Sequence, residues 1–274
     1  AGALKRKAGE WRLVFHTIVM IAFPLIYAVY LGVAESARDI ALELARAGHD
    51  PLAQLGCLMP LALTYARMDD HAMAMQTLAE VQQLAQVGRD PLIEAQVLRL
   101  ESQIHYHARD PAALARAASR AMEIAREANL FYETALNAHN LGEAFLRMGD
   151  HRRAFAALRR SYEIAAEHAY TRLQMSNMRI LGFIDATRFN SAEGRARLLQ
   201  AIDYAVEHDY VWDIIPGKYL LAIVEQSRGD VESARAALRE VLNLAVQHGH
   251  RKYTLDSEIA LRELDAGAPI ALPA

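Results

Sequence analysis

The sequence predicts an all-α fold: a right-handed superhelical solenoid of antiparallel helix pairs, with about five full repeats and capping helices at its ends. Three observations carry this expectation. Ala, Leu, Glu, Arg and Gln dominate while aromatics make up only 7% of 274 residues, and such side chains lose little freedom in a helical backbone. The sequence matches itself at an offset of 40 residues, the kind of period that marks stacked supersecondary units. Polar turn residues recur at the same offset, between apolar stretches long enough for helices.

The first helix of each unit is marked by a small residue, at Ala62, Ser102, Gly142, Gly182 and Ala222. A larger Cβ substituent there would hold two packed helices apart. Twelve positions later come Ala74, Leu114, Ala154, Gly194 and Ala234, and four further on Leu78, Ala118, Leu158, Leu198 and Leu238. That spacing places them on one face of a second helix. The second helix ends on an apolar pair, Leu84-Ala85, Ile124-Ala125, Ile164-Ala165, Tyr204-Ala205 and Leu244-Ala245. Between the two helices stand Asp70, Asp110, Asp150, Asn190 and Asp230, each suited to cap the helix that follows. Two units open alike, with Gly48-His49-Asp50-Pro51-Leu52 and Gly88-Arg89-Asp90-Pro91-Leu92. Here Gly ends a helix, Asp caps the next and Pro takes its first position.

The expected organisation is therefore a basic segment 1–12, apolar helices over 13–48 including a half repeat at 34–48, a repeat array over 49–265 and a tail over 266–274. Within the array the units run near 51–90, 91–130, 131–170, 171–210 and 211–250, and a capping helix spans 251–265.

The third unit carries Leu141-Gly142, Phe145, Gly149-Asp150, Ala154 and Leu158, and with these residues it resembles the tetratricopeptide repeat. Its period of 40 exceeds the usual length of roughly 34, which is similar to the arrays of the maltose-operon activator type and of bacterial kinase and ATPase regulators. The resemblance implies a non-catalytic scaffold or sensor that binds a protein segment or a small effector and works in regulation. It departs from the pattern where the first-helix Trp is missing and where Glu101 takes the Leu position. Residues 9–47, with Gly9-Glu10-Trp11 and Phe23-Pro24-Leu25-Ile26-Tyr27, resemble a helical segment of acyl-CoA dehydrogenases. That stretch brings no flavin site and no catalytic glutamate, so it implies at most an inactive remnant.

Composition narrows the function classes. Thirty basic and 33 acidic residues are interspersed, for a net charge of -3, so no basic face is reserved for nucleic acid. A lone Cys57 excludes an internal disulfide and suits a reducing, cytoplasmic setting. Residues 13–34 form a 22-residue run without formal charge behind Lys5, Arg6, Lys7 and Arg12. Its length gives an alternative reading, a single-pass membrane anchor displaying the array. His16 and Pro24 interrupt the run, and an amphipathic stretch follows it directly, as in a buried helix.

No phosphate-cradling glycine loop, nucleophile elbow or zinc-protease motif occurs, so no enzyme activity and no cofactor is expected. His168, His208 and His248 recur beside Glu167, Glu207 and Gln247. Equivalent residues of adjacent repeats lie roughly 10 Å apart, too far to share an ion, so these histidines are assigned to helix C-terminal carbonyls. First helices form the concave face of such arrays. Register then predicts its lining: Arg67, Arg99, Gln103, His107, His139, Glu143, Arg147, Arg179, Phe183 and Tyr219. Arg99, Arg147 and Arg179 are expected to receive a carboxylate or acidic peptide. Trp212, Tyr210 and Tyr219 near Pro216 are expected to fill a wide gap between repeats.

Overall fold

The structure, a computed structural model, describes residues 42–43, 46–86 and 90–273. Among these residues it contains helices and no strand. The helices are α1 (Pro51–Arg67), α2 (His71–Ala85), α3 (Pro91–His107), α4 (Pro111–Glu127), α5 (Phe131–Arg147), α6 (His151–Glu167), α7 (Thr171–Phe189), α8 (Ala192–Glu207), α9 (Val211–Ser227), α10 (Val231–Gln247) and α11 (Arg251–Asp265). Each packs antiparallel on the next, and odd-numbered helices also touch the odd helix of the following repeat. The odd helices therefore make the inner layer of the solenoid and the even ones the outer layer.

A backbone device sets the helix lengths. A residue with positive φ occurs at His49, Asp69, Arg109, Asn129, Gly149, Ala169, Asn190, Asp209, Gly229 and Gly249, spaced by 20 or nearly so except for the 40 from Asp69 to Arg109. At eight of these positions the next residue's N–H reaches back five positions, as in Asp70 N to Tyr65 O at 2.9 Å, Leu130 N to Ala125 O at 2.8 Å and His250 N to Ala245 O at 2.7 Å, while Ser191 N reaches back six to Asp185 O. That closure satisfies carbonyls left open at a helix end. At the turn into α1 it is His49, and not Gly48, that takes the left-handed conformation.

Aspartates cap the helices that follow. Asp50, Asp70, Asp90, Asp110, Asp150 and Asp230 each accept a hydrogen bond from a first-turn N–H, at 2.9 to 3.1 Å. Asn190 corrects the sequence expectation. α7 runs to Phe189, so Asn190 adopts φ 47° as its C-cap, and Ser191 caps α8 by accepting from Gly194 N at 3.1 Å. From the third repeat on, turns between repeats use no side-chain cap: α5, α7, α9 and α11 start from Leu130, Tyr170, Tyr210 and His250. Here rings stack instead. His168 lies 4.3 Å from Phe131 and 5.7 Å from Tyr170, and His208 lies 4.2 Å from Tyr204. His208 Nδ1 also meets the Tyr204 carbonyl at 2.9 Å, the carbonyl role expected from sequence.

The small-residue register sits where helices of a pair cross. Ala62 and Ala222 are fully buried and Ser102 is 1% exposed. A Cβ on Gly182 would stand 2.7 Å from Gly194 O and 2.8 Å from Leu198 N, so α7 and α8 touch backbone to backbone. Ala74, Ala154, Ala234, Leu158, Leu198 and Leu238 are all fully buried beneath these crossings.

The segments assigned to 1–12 and 13–34 lie outside the described residues, as does most of the dehydrogenase-like stretch 9–47. Of the half repeat 34–48, only 42–43 and 46–48 are described. Among the described residues no helix is long and apolar enough to cross a membrane.

Two opposite backbone substitutions test this account by chemical denaturation. Gly182→Ala forces backbone apart and is expected to cost about 1–3 kcal/mol. Ala169→Gly relieves a left-handed residue that meets no packing demand and is expected to stabilise by about 0.5 kcal/mol, the conformational gain less the added freedom of the unfolded chain.

Candidate functional site

Equal helices joined by equal turns curve until α11 faces the first two repeats. Arg251 Nη1 donates to the Met68 carbonyl at 3.0 Å, joining residues 183 positions apart. Arg109 reaches Asp256 at 3.1 Å, and Asp256 also accepts from Lys252 at 2.8 Å. Aromatic faces receive the remaining inner cations. Arg67 lies 4.6 Å over Trp212, Arg147 lies 4.0 Å over Tyr106, and Lys252 lies 5.4 Å from Tyr253. His250 sits 4.6 Å from Trp212 and 6.5 Å from His107.

This closure leaves an axial cavity of about 180 Å3, lined by Arg67, Gln103, His107, Glu143, Trp212 and His250 among others. Four of the residues expected on the concave face thus meet at one place. The others do not join them in an open groove. Arg99 pairs with Glu133 of the next repeat at 3.1 Å. Arg179 is buried, 3.3 Å from Asp213 and 4.0 Å from Glu143. Each of the three arginines expected to take an anion together is thus engaged with a different neighbour. His139 is buried with Nδ1 at 3.0 Å from Asn177 Oδ1. Phe183 and Tyr219, expected to line the groove, are 3% and 2% exposed and belong to its floor. Of the Pro216 cluster, Tyr219 is core, while Trp212 and Tyr210 remain half-buried.

Burial sets the charge state of the inner groups. It lowers His107 to about 3, with Arg67, His250, Lys252 and Arg147 acting in the same direction. Burial lowers His250 to about 4, helped by Arg67 and Lys252. Lys252 falls to about 8 through burial and Arg147, although Asp256 opposes the shift. Both imidazoles are neutral at pH 7.

Residues 268–273, within the tail expected over 266–274, lie on the inner face. After Gly267, at φ 72°, the chain runs extended across the odd helices. Gln226 Nε2 donates to the Ala268 carbonyl at 2.7 Å, and Ile270 N donates back to Gln226 Oε1 at 2.7 Å. Tyr219 donates its hydroxyl to the Ala271 carbonyl at 3.2 Å. Ile270, 5% exposed, joins Tyr219, Tyr253, Ala260 and Leu264. Leu272 packs on the cluster of Leu146, Phe183 and Val224. Leu272 and Pro273 also border a second cavity of about 230 Å3 with Tyr106, Arg109 and Arg147. The alternation of Ile270 and Leu272 with small or ring-closed residues was the available signal, since period two marks an extended segment with one buried face.

The model of the tetratricopeptide repeat matches residues 137–168. The chain is a tetratricopeptide-like helical repeat protein. Among solved structures, this tetratricopeptide-like array is similar to BtubC (BKLC) from P. vanneervenii, at TM-score 0.58 and 18% identity over 77% of this chain and 89% of that one. It is also similar to a signal transduction ATPase with numerous domains (STAND) with a tetratricopeptide repeat sensor, from Pyrococcus horikoshii, at TM-score 0.59 and 13% identity. That likeness covers 92% of this chain and 38% of the ATPase chain. No curated protein matches the sequence.

The neutral histidines predict an acid-sensitive closure. Below pH 6.5 the unfolded chain protonates both imidazoles, while the folded chain refuses the proton until about 4 at His250 and about 3 at His107. Stability present above 6.5 is therefore lost as pH falls towards 4, by up to about 1.4 kcal/mol per pH unit for each group. In urea titrations from pH 7 to 4.5, His107→Gln is expected to flatten this dependence relative to the parent chain.

Proposed function

We propose that this array is a non-catalytic, regulatory protein-binding scaffold whose inner face is the docking surface. The observation that carries the proposal is the seat of residues 268–273. On that face, Gln226 and Tyr219 hold an extended backbone by main-chain hydrogen bonds while apolar pockets take alternate side chains. Such an arrangement recognises a chain segment rather than a reacting group. The similar Pyrococcus ATPase carries a tetratricopeptide repeat sensor, in keeping with a regulatory role. The inner face collects Arg67, Gln103, His107, Glu143 and Trp212 around a cavity. This combination of planar aromatics and charge resembles the anchors of protein interfaces. The mixed polar and aromatic lining of that cavity favours a second reading, a small effector taken at the same place.

A photo-crosslinking residue separates inner from outer binding. Placed at Gln103 it is expected to give covalent adducts with a second protein. Placed at Arg159, on the outer helix α6 with a side chain 67% exposed, it is expected to give none. Adducts from both positions alike, or from neither, would overturn the assignment of the inner face.

A further inference from the structure

The seat of residues 268–273 has the make-up of a recognition site. Its hydrogen bonds from α9 go to main-chain atoms: the Ala268 carbonyl, the Ile270 N–H and the Ala271 carbonyl. One amide side chain brackets a peptide unit by donating to a carbonyl and accepting from an N–H two residues on. Such contacts are indifferent to the sequence of the bound segment. Side-chain selection comes from elsewhere. Ile270 and Pro273 are buried and Leu272 is half-buried, whereas Pro269 and Ala271 are exposed. Ile270 belongs to the buried cluster that includes Tyr219, Tyr253 and Leu264, and Leu272 packs against the cluster that includes Leu146, Phe183 and Val224. Beneath the segment the inner helices also pack on one another directly, α5 on α7 and α7 on α9.

We infer that residues 268–273 are an internal ligand. The site they occupy binds an extended peptide of a partner protein with bulky apolar residues two apart and a proline after the second, and the internal segment competes with it. This rests on the reading of the inner face as a docking surface and adds what docks there and what holds it back. The linkage sets the strength of the competition. A segment tethered directly behind α11 has an effective concentration on the order of millimolar, so a partner gains the site only when its own affinity, local concentration or a modification of the segment outweighs the tether.

The test uses the full chain and a fluorescein-labelled peptide of sequence Ala-Pro-Ile-Ala-Leu-Pro, with Ala-Pro-Asp-Ala-Asp-Pro as the control. Ile270→Asp with Leu272→Asp in the chain releases the internal segment. Fluorescence anisotropy is expected to show the labelled peptide binding this variant at least tenfold more tightly than the parent, and the control peptide binding neither. Adding Gln226→Leu to the released variant is expected to cost tenfold or more. Equal affinity of parent and released variant, or insensitivity to Gln226→Leu, would overturn the inference. Hydrogen exchange on the parent supplies a readout that needs no variant: excess peptide is expected to strip protection from the Ile270 amide. Peptide binding with that amide still protected places the peptide elsewhere and counts against the inference. Light scattering that shows the parent as a dimer, with the segment exchanged between two copies, also overturns it. Loss of peptide binding while Gln103 still gives partner adducts removes the internal ligand and leaves the docking face standing.

Discussion

Left-handed residues at a spacing of about twenty from Arg109 to Gly249 govern the shape of this molecule. Each such residue ends one helix, and the backbone N–H that follows closes back over five residues, or six after Asn190, so helices of 15 to 19 residues succeed one another with little room for drift. Because turns within and between repeats share this geometry, each pair is rotated against the last by a nearly constant amount. Curvature accumulates instead of averaging out. Where two backbones must nearly touch, as at Gly182 and Gly194, the position carries no Cβ, whereas three other repeats hold Ala62, Ser102 or Ala222 at the register of Gly182. Four of the ten interhelix positive-φ positions from 49 to 249 differ in chemistry yet serve alike, from His49 to Ala169 to Asp209 to Gly249. The turn geometry is imposed by helix packing as much as by the residue that occupies it.

Accumulated curvature brings α11 against α1 and α3, and this return defines the interior. Several cations enter a confined space, and each is handled by a different compensation. Asp256 takes Arg109 and Lys252, while Tyr106 and Trp212 present ring faces to Arg147 and Arg67. Rings are effective partners here because a guanidinium is weakly hydrated and its attraction to a ring face grows once water is excluded. The imidazoles of His107 and His250 respond by staying neutral, since a further positive charge between Arg67 and Lys252 would be neither solvated nor paired. Closure of the superhelix and the charge state of its interior are therefore one property.

The segment after α11 then lies across a face that helices built. Its main-chain groups would be left unsatisfied against an apolar floor, and Gln226 and Tyr219 supply what a β-strand partner would otherwise provide. A solenoid whose concave side carries polar side chains among apolar pockets can hold an extended chain in this way without forming a sheet. The side-chain hydrogen bonds that hold the segment come from the inner helix α9.

Helix content, the period of 40, the small residues at Ala62, Ser102, Gly142, Gly182 and Ala222, and the aspartate caps were all legible in the sequence, because each follows from local backbone demands or from contacts within one unit. Local rules failed at Asn190, where α7 extends by two residues and shifts the cap to Ser191. The structure brings Arg67, Gln103, His107 and Glu143, read from register, to the lining of one cavity. Register could not show that Arg99 is engaged with Glu133, that Arg179 is engaged with Asp213, or that Phe183 and Tyr219 lie under a covering segment. Those facts depend on the summed rotation of five repeats and on contacts such as Arg251 with Met68, 183 residues apart. The sequence by itself determined the repeat and its two faces, because both are encoded within forty residues. Only the tertiary structure decided that the inner face closes on itself and is occupied, because curvature is a sum over the whole array that no single repeat contains.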